Sequence, residues 1–262
     1  MDLLSAGCRA GRLRQASLPI LATLLALAAA VSPAAAQGRA RGSPDLGEVA
    51  RLVVDRTNDM RRGEGREPVA SASKLGATAQ SFAAFMASND RYGHEADGRT
   101  AAQRVQEQGY TYCIVLENIA SLYSSSGFGS QELANKVTQG WWQSEGHRRN
   151  MLDVEVTDIG VAIARSSKTG TYYAVQLFGR PYSTRIEFRV ANASPAAIEY
   201  DLNGKGFSLP PHATRMHQEC RAARLTVRLP GERQSISVKP ADGDRYEVER
   251  VGSRFQLKRA AS

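Results

Sequence analysis

At Pro181 the hydrophobic pattern of the chain changes period. Before it, apolar residues recur every three or four positions: Leu46, Val49, Leu52, Val53 and Met60, then Leu75, Ala79, Phe82, Ala83 and Met86, then Leu133, Val137 and Trp141. That spacing gathers them on one face of a helix. After it, apolar residues alternate with polar ones: Ile186, Phe188 and Val190; Ile198, Tyr200 and Leu202; Leu225, Val227 and Leu229; Ile236 and Val238; Tyr246 and Val248; Phe255 and Leu257. Turn-formers stand between these runs at Asn203-Gly204, Pro210-Pro211, Pro230-Gly231 and Asp242-Gly243. Residues 181–262 therefore read as a small all-β domain, a sandwich or half-barrel.

The earlier half is mixed. The first helix is expected over 46–61, stopped by Gly63 and Gly65, and the second over 73–88, ended by Asn89-Asp90. Thr100 with Gln103 three residues on forms a capping box, so a short helix starts there and Gly109 ends it. Ser130 is placed to cap a helix running to about Gln143. Ile159, Val161 and Ile163 alternate, Lys168-Thr169-Gly170 turns the chain, and Thr171 to Gly179 returns as a second strand. The fold class is α+β, with residues 45–180 as one domain.

The first 36 residues have the layout of an export signal. Arg9, Arg12 and Arg14 form a basic start, Leu18 to Val31 is weakly polar to apolar, and Ser32-Pro33-Ala34-Ala35-Ala36 supplies small residues for cleavage. Residues 37–44 are expected to be a disordered lead-in. The apolar run is too short to span a bilayer, and no later segment is long enough. The product is expected to be secreted or periplasmic. The chain carries 34 basic and 26 acidic residues, and removing the signal, with its three Arg and one Asp, lowers the net charge from +8 to +6. That charge is dispersed, with no Lys/Arg block, which argues against a nucleic-acid partner. Cleavage also removes Cys8 and leaves Cys113 and Cys220. In an oxidising compartment such a pair forms either a disulfide or two buried thiols.

Five short motifs occur in order: His94 with Asp97-Gly98-Arg99; Glu117-Asn118-Ile119-Ala120; Trp141, Ser144, Gly146-His147-Arg148 and Asn150-Met151-Leu152; Ile159-Gly160-Val161-Ala162; and Tyr172-Tyr173-Ala174-Val175-Gln176-Leu177-Phe178-Gly179. Over residues 46–180 the chain resembles the bacterial branch of the CAP superfamily, named for cysteine-rich secretory, antigen 5 and pathogenesis-related 1 proteins and also called the SCP domain. The resemblance implies a three-layer αβα sandwich and a cleft that collects two histidines and one or two acids. His94 and His147 match the histidines and Glu117 the first acid. The second acid falls nearest Ser144, with Glu145 one residue away, so the candidate catalytic set is His94, Glu117, His147 and Glu145.

Two imidazoles and a carboxylate suit a divalent metal such as zinc, whose bound water can become a nucleophile. The same residues can instead tie loops together through charge-assisted hydrogen bonds. Two functions follow from the resemblance. One is a non-enzymatic binding module for a small apolar or lipid-like ligand, a divalent ion or an envelope protein partner, which the C-terminal β domain could also engage. The alternative is a metal-assisted hydrolase or peptidase with His94, His147 and Glu117 as ligands or base. Ser144 lacks a nucleophile elbow and reads as a helix cap. Trp141 reads as core. His212, His217 and Cys220 read as a polar strand or loop rather than a metal site, and Asn192-Ala193-Ser194 has the form of a glycosylation sequon.

Overall fold

The computed structural model describes residues 43–260, so the expected export signal and most of the lead-in lie outside the described residues. Helix α1 (Leu46–Gly63) begins where Asp45 Oδ1 accepts from the amides of Gly47 and Glu48, satisfying two of the free N–H groups of its first turn. Helix α2 (Ser73–Asn89) ends at Asp90, in the left-handed conformation. Helix α3 (Ala101–Glu107) starts with the expected Thr100/Gln103 capping box, and Gly109 follows at φ +74°. Helix α4 (Ser130–Gln143) is capped by Gly129 rather than Ser130. The Ser130 hydroxyl instead accepts from the Asp45 amide at 3.1 Å, joining the starts of α4 and α1. Helix α5 (Glu145–Met151) is a short final piece.

Four strands, β1 (Ala70–Ser71), β2 (Tyr112–Leu122), β3 (Asp158–Arg165) and β4 (Tyr172–Pro181), form a sheet in the order β1-β3-β4-β2, so β2 is an edge. All pairs are antiparallel except β1 with β3. Residues on β4 alternate between two cores. Tyr172, Ala174 and Phe178 join Val49 and Val53 of α1 and Leu133, Val137 and Trp141 of α4. Tyr173, Val175 and Leu177 join Leu75, Phe82 and Met86 of α2 and Val105 of α3. Helices thus cover both faces, and the layers run helix, sheet, helix. The α2 layer sits so close that a Cβ at Gly160 would lie 2.2 Å from the Leu75 backbone, so only glycine fits there. Arg61, 1 % exposed, donates to the carbonyls of Glu67, Met151 and Asp153 and fastens the end of α1 to the segment after α5.

Beyond Pro181 the described residues are all strand and turn apart from one 3-10 turn at Tyr182–Thr184. The strands are β5 (Ile186–Asn192), β6 (Ile198–Leu202), β7 (Lys205–Leu209), β8 (Thr214–Glu219), β9 (Leu225–Arg228), β10 (Ser235–Val238), β11 (Arg245–Val251) and β12 (Arg254–Ala260). They form two four-stranded sheets, β10-β9-β6-β7 and β12-β11-β5-β8, whose inner residues share one core around Phe188, Tyr200, Val227 and Tyr246. That is the expected sandwich. Asn203 and Gly204 both have positive φ, as the tight turn from β6 to β7 requires. Strands β7 and β8 go beyond the sequence reading, which had no apolar alternation to detect them.

Cys113 on β2 and Cys220 after β8 are disulfide-bonded with Cα atoms 5.1 Å apart. The bridge does not stand alone. Arg221 pairs with Asp153 at 3.0 Å, and the Ala222 amide donates to Glu155, which also pairs with Arg180. Among the described residues no helix is long and apolar enough to cross a membrane. Because the bridge closes a loop of 107 residues, a Cys113→Ala/Cys220→Ala variant should lose about 2–5 kcal/mol of stability in urea titrations against the oxidised parent. An unchanged midpoint would show that the other contacts hold this joint by themselves.

Candidate functional site

The site is built along the open edge of β2. After the register shift between Tyr112 and Ile114, its odd-numbered side chains face the α2/α3 layer and its even-numbered ones face α1, α4 and α5. Glu117 and Asn118 are neighbours in sequence and therefore serve opposite layers.

Glu117 has a side chain only 4 % exposed, and both of its oxygens are occupied. Oε1 meets His94 Nδ1 at 2.8 Å, and Oε2 accepts from Arg104 Nη2 at 2.7 Å. The capping box at Thr100 sets the start of α3 so that Arg104 turns inward, where its guanidinium lies 3.5 Å over the Phe82 ring. Arg104 also donates to Asp97 Oδ1 at 2.8 Å and to the carbonyls of Arg99 and His94. One guanidinium thereby holds the whole 94–99 loop against β2. Burial alone would push Asp97 up. The Arg99 amide and the charges of Arg104 and Arg99 outweigh it and hold that carboxyl below its ordinary value.

On the other face a chain of buried amides runs from α1 to α5. Thr57 Oγ1 accepts from Gln176 Nε2 at 2.9 Å, and Gln176 Oε1 accepts from Asn118 Nδ2 at 2.9 Å. Asn118 also donates to the His147 carbonyl and accepts from Asn150 Nδ2, which reaches the Glu117 carbonyl at 3.2 Å. These bonds set the position of α5 and of His147. The His147 Nδ1 is buried without a protein partner. Burial first, and then the charge of nearby His94, hold His147 below its ordinary pKa and keep it neutral near pH 7.

His94 and Glu117 meet at one edge, and His147 lies near enough for the charge of His94 to act on it. Among the described residues no three His, Cys, Asp or Glu side chains gather into a group that could hold a metal ion. One Glu117 oxygen is engaged by Arg104 and the other by His94. Two imidazoles alone fall short of the three protein ligands of a catalytic zinc centre. Glu145 drops out of the candidate set, because its side chain is 83 % exposed and pairs with Arg149. Ser144 stands at the N-cap of α5, but its side chain makes no capping bond.

The remaining candidates are structural. Trp141 is buried and donates its indole N–H to the Ile119 carbonyl. His217 is buried against the Tyr200 hydroxyl at 2.7 Å, and Cys220 is in the disulfide, so neither belongs to a metal cluster with exposed His212. Asn192 is buried and donates to the carbonyls of Ala196, Leu209 and Pro210, so the sequon has no accessible acceptor. The sequence reading missed Arg104 and Gln176. The only available signal for Arg104 was its place four residues after the capping Thr100.

Residues 54–178 match the model of the CAP family, described as the cysteine-rich secretory protein family. The chain is 27 % identical over 129 residues to the uncharacterised protein YkwD of Bacillus subtilis, a match covering 49 % of this chain and 46 % of that protein. The chain thus spans about half the length of this relative. Among solved structures it resembles an outer surface protein of Borrelia burgdorferi (19 % identity, 51 % of this chain and 93 % of that one, TM-score 0.45). It also resembles an extracellular SCP-domain protein of Bacillus anthracis (25 % identity, 52 % and 41 %, TM-score 0.44).

Replacing Arg104 by Met strands the buried Glu117 carboxylate and leaves Asp97 to Arg99 alone, which should cost about 3–5 kcal/mol at pH 7. The pH slope should also reverse. In the parent, the depressed Asp97 pKa gives stability that is present above its unfolded value and lost as pH falls through the folded one. In the variant, acidification relieves the stranded charge. Urea titrations from pH 4 to 8 check both points. A loss under about 1 kcal/mol would mean that the pairs carry no weight.

Proposed function

The chain carries a CAP domain of the cysteine-rich secretory protein family over residues 54–178, and from that premise we propose that it is an exported, non-enzymatic binding module. The recognition surface in this reading is the edge of β2, between the His94 loop and α5. What supports it most is the state of Glu117, whose two oxygens are taken by His94 and Arg104. A general base must reach the proton it removes, and both oxygens of this 4 % exposed carboxylate are already engaged by Arg104 and His94. Metal-assisted hydrolysis would require Glu117 to leave Arg104, and no observation favours that.

The open side of the edge has a mostly neutral, aromatic rim. Tyr92 is exposed and donates to the Ile119 carbonyl, His94 is half-exposed, and the Arg148 guanidinium lies 6.0 Å over the Trp142 ring. With His147 neutral, such a rim suits a small apolar or lipid-like ligand with one polar end. Export to the periplasm or beyond is part of this proposal. It rests on the pattern of the first 36 residues and on a disulfide that needs an oxidising compartment to persist.

Native mass spectrometry of the full chain purified from its own host should find a small-molecule adduct that His147→Gln loses. Peptide and ester panels should show no turnover above that of a His94→Ala/His147→Ala variant. Protein that is always free of adduct, or hydrolysis that disappears in a folded Glu117→Gln variant, would overturn the reading.

A further inference from the structure

The C-terminal sandwich has an opening between β7 and β8, the edge strands of its two sheets. Phe207 of β7 stands there half-buried, stacked on Tyr200 at 5.3 Å and edge-on to His217 of β8 at 5.0 Å. Two cations lie over this one ring. Lys205 Nζ and the Arg215 guanidinium are each 5.3 Å from its centroid. Phe207, His217, Lys205 and Arg215 border an open cleft of about 490 Å³, in which exposed Met216 also takes part.

Neither cation has a carboxylate within ion-pair reach among the described residues, whereas Arg228, Arg245, Lys258 and Arg259 on the same two sheets are paired and the other unpaired arginines there, Arg189, Arg250 and Arg254, are exposed. Of the nearby acids, Asp201 accepts from the Gly204 amide, and Glu219 lines the far end of the same cleft but forms no ion pair with either cation. The groups facing His217 are Tyr200, Lys205, Phe207 and Arg215, with Phe188 stacked beneath it. No anion is among them. Cation–π contact stabilises each cation. It leaves their mutual repulsion untouched, and a half-buried charge such as Arg215 is ordinarily paired.

We propose that the cleft between β7 and β8 is an oxyanion-binding site, in which Lys205 and Arg215 hold the carboxylate or phosphate group of a ligand above Phe207. Arg215 supplies directional N–H donors and Lys205 a mobile point charge, a combination that suits either oxyanion. The apolar remainder of the ligand has Phe207 and Met216 beside it. This site is independent of the reading of the CAP domain, since none of its residues lies before Pro181.

The test is a titration of the ¹⁵N-labelled full chain at constant ionic strength, with sodium phosphate in one arm and sodium benzoate in the other. Saturable shifts confined to the amides of Gly206, Phe207, Arg215 and Met216 are expected, with Kd of about a millimolar and a weakening of about fivefold or more in Lys205→Glu. Saturation by phosphate alone or by benzoate alone supports the site and tells which oxyanion it takes. Arg215→Gln should abolish the shifts with the rest of the spectrum intact. Should that variant unfold, Lys205→Glu, at an exposed position, decides by itself. Shifts that rise linearly with concentration, or that persist unchanged in Lys205→Glu, overturn the proposal.

Discussion

Arg104 is a buried cation held between two buried carboxylates, and the edge of the central sheet takes its form from that arrangement. Removing three charges from water costs several kcal/mol for each. The geometry offsets this cost through the two terminal nitrogens of the guanidinium, which are both filled, while Nε stays buried without a partner. One nitrogen serves Asp97 and the Arg99 carbonyl, the other serves Glu117 and the His94 carbonyl, and Phe82 lies against its face. The 94–99 loop has no apolar side chain except Ala96 buried in the core, so these bonds do for it what packing does elsewhere. His94 is aimed by Glu117, and Glu117 is aimed by Arg104.

The opposite face of the same strand is handled with neutral groups. Asn118, Gln176, Thr57 and Asn150 pass hydrogen bonds from α1 through the sheet to α5. Buried amides tolerate this only if each finds its partners, and here they do. The same side chains solve a second problem. An edge strand offers unpaired carbonyls to any passing chain. On β2 the Glu117 carbonyl is taken by Asn150, and the Ile119 carbonyl by Trp141 and Tyr92. Side chains have sealed the edge while arranging the site.

Much of this was legible from residue order. The helices α1, α2 and α4 announce themselves because each buries one stripe, and the α3 capping box is local chemistry that no tertiary contact overrode. Strand β2 was not legible as a strand. Helices cover both of its faces, so it has no apolar alternation, and Glu117 with Asn118 breaks the continuous apolar run that a doubly covered strand otherwise shows. Strands β7 and β8 were hidden for a different reason. They flank an open cleft and carry Lys205, Arg215 and Glu219 where a closed sandwich would place apolar residues. Two of the expected metal ligands, His94 and Glu117, came together in space, but Arg104 looked like an ordinary surface residue of a short helix. Its claim on Glu117 could be seen only once the fold was known.

If Glu117 is a structural carboxylate rather than a base or ligand, its energy must be coupled to that of Arg104. A double-mutant cycle with Arg104→Gln and Glu117→Gln, read by urea denaturation of the folded chain, measures that coupling directly. The account predicts strong non-additivity, with an interaction energy of about 1–3 kcal/mol. Effects that add to within about 0.5 kcal/mol would contradict it and return Glu117 to chemistry.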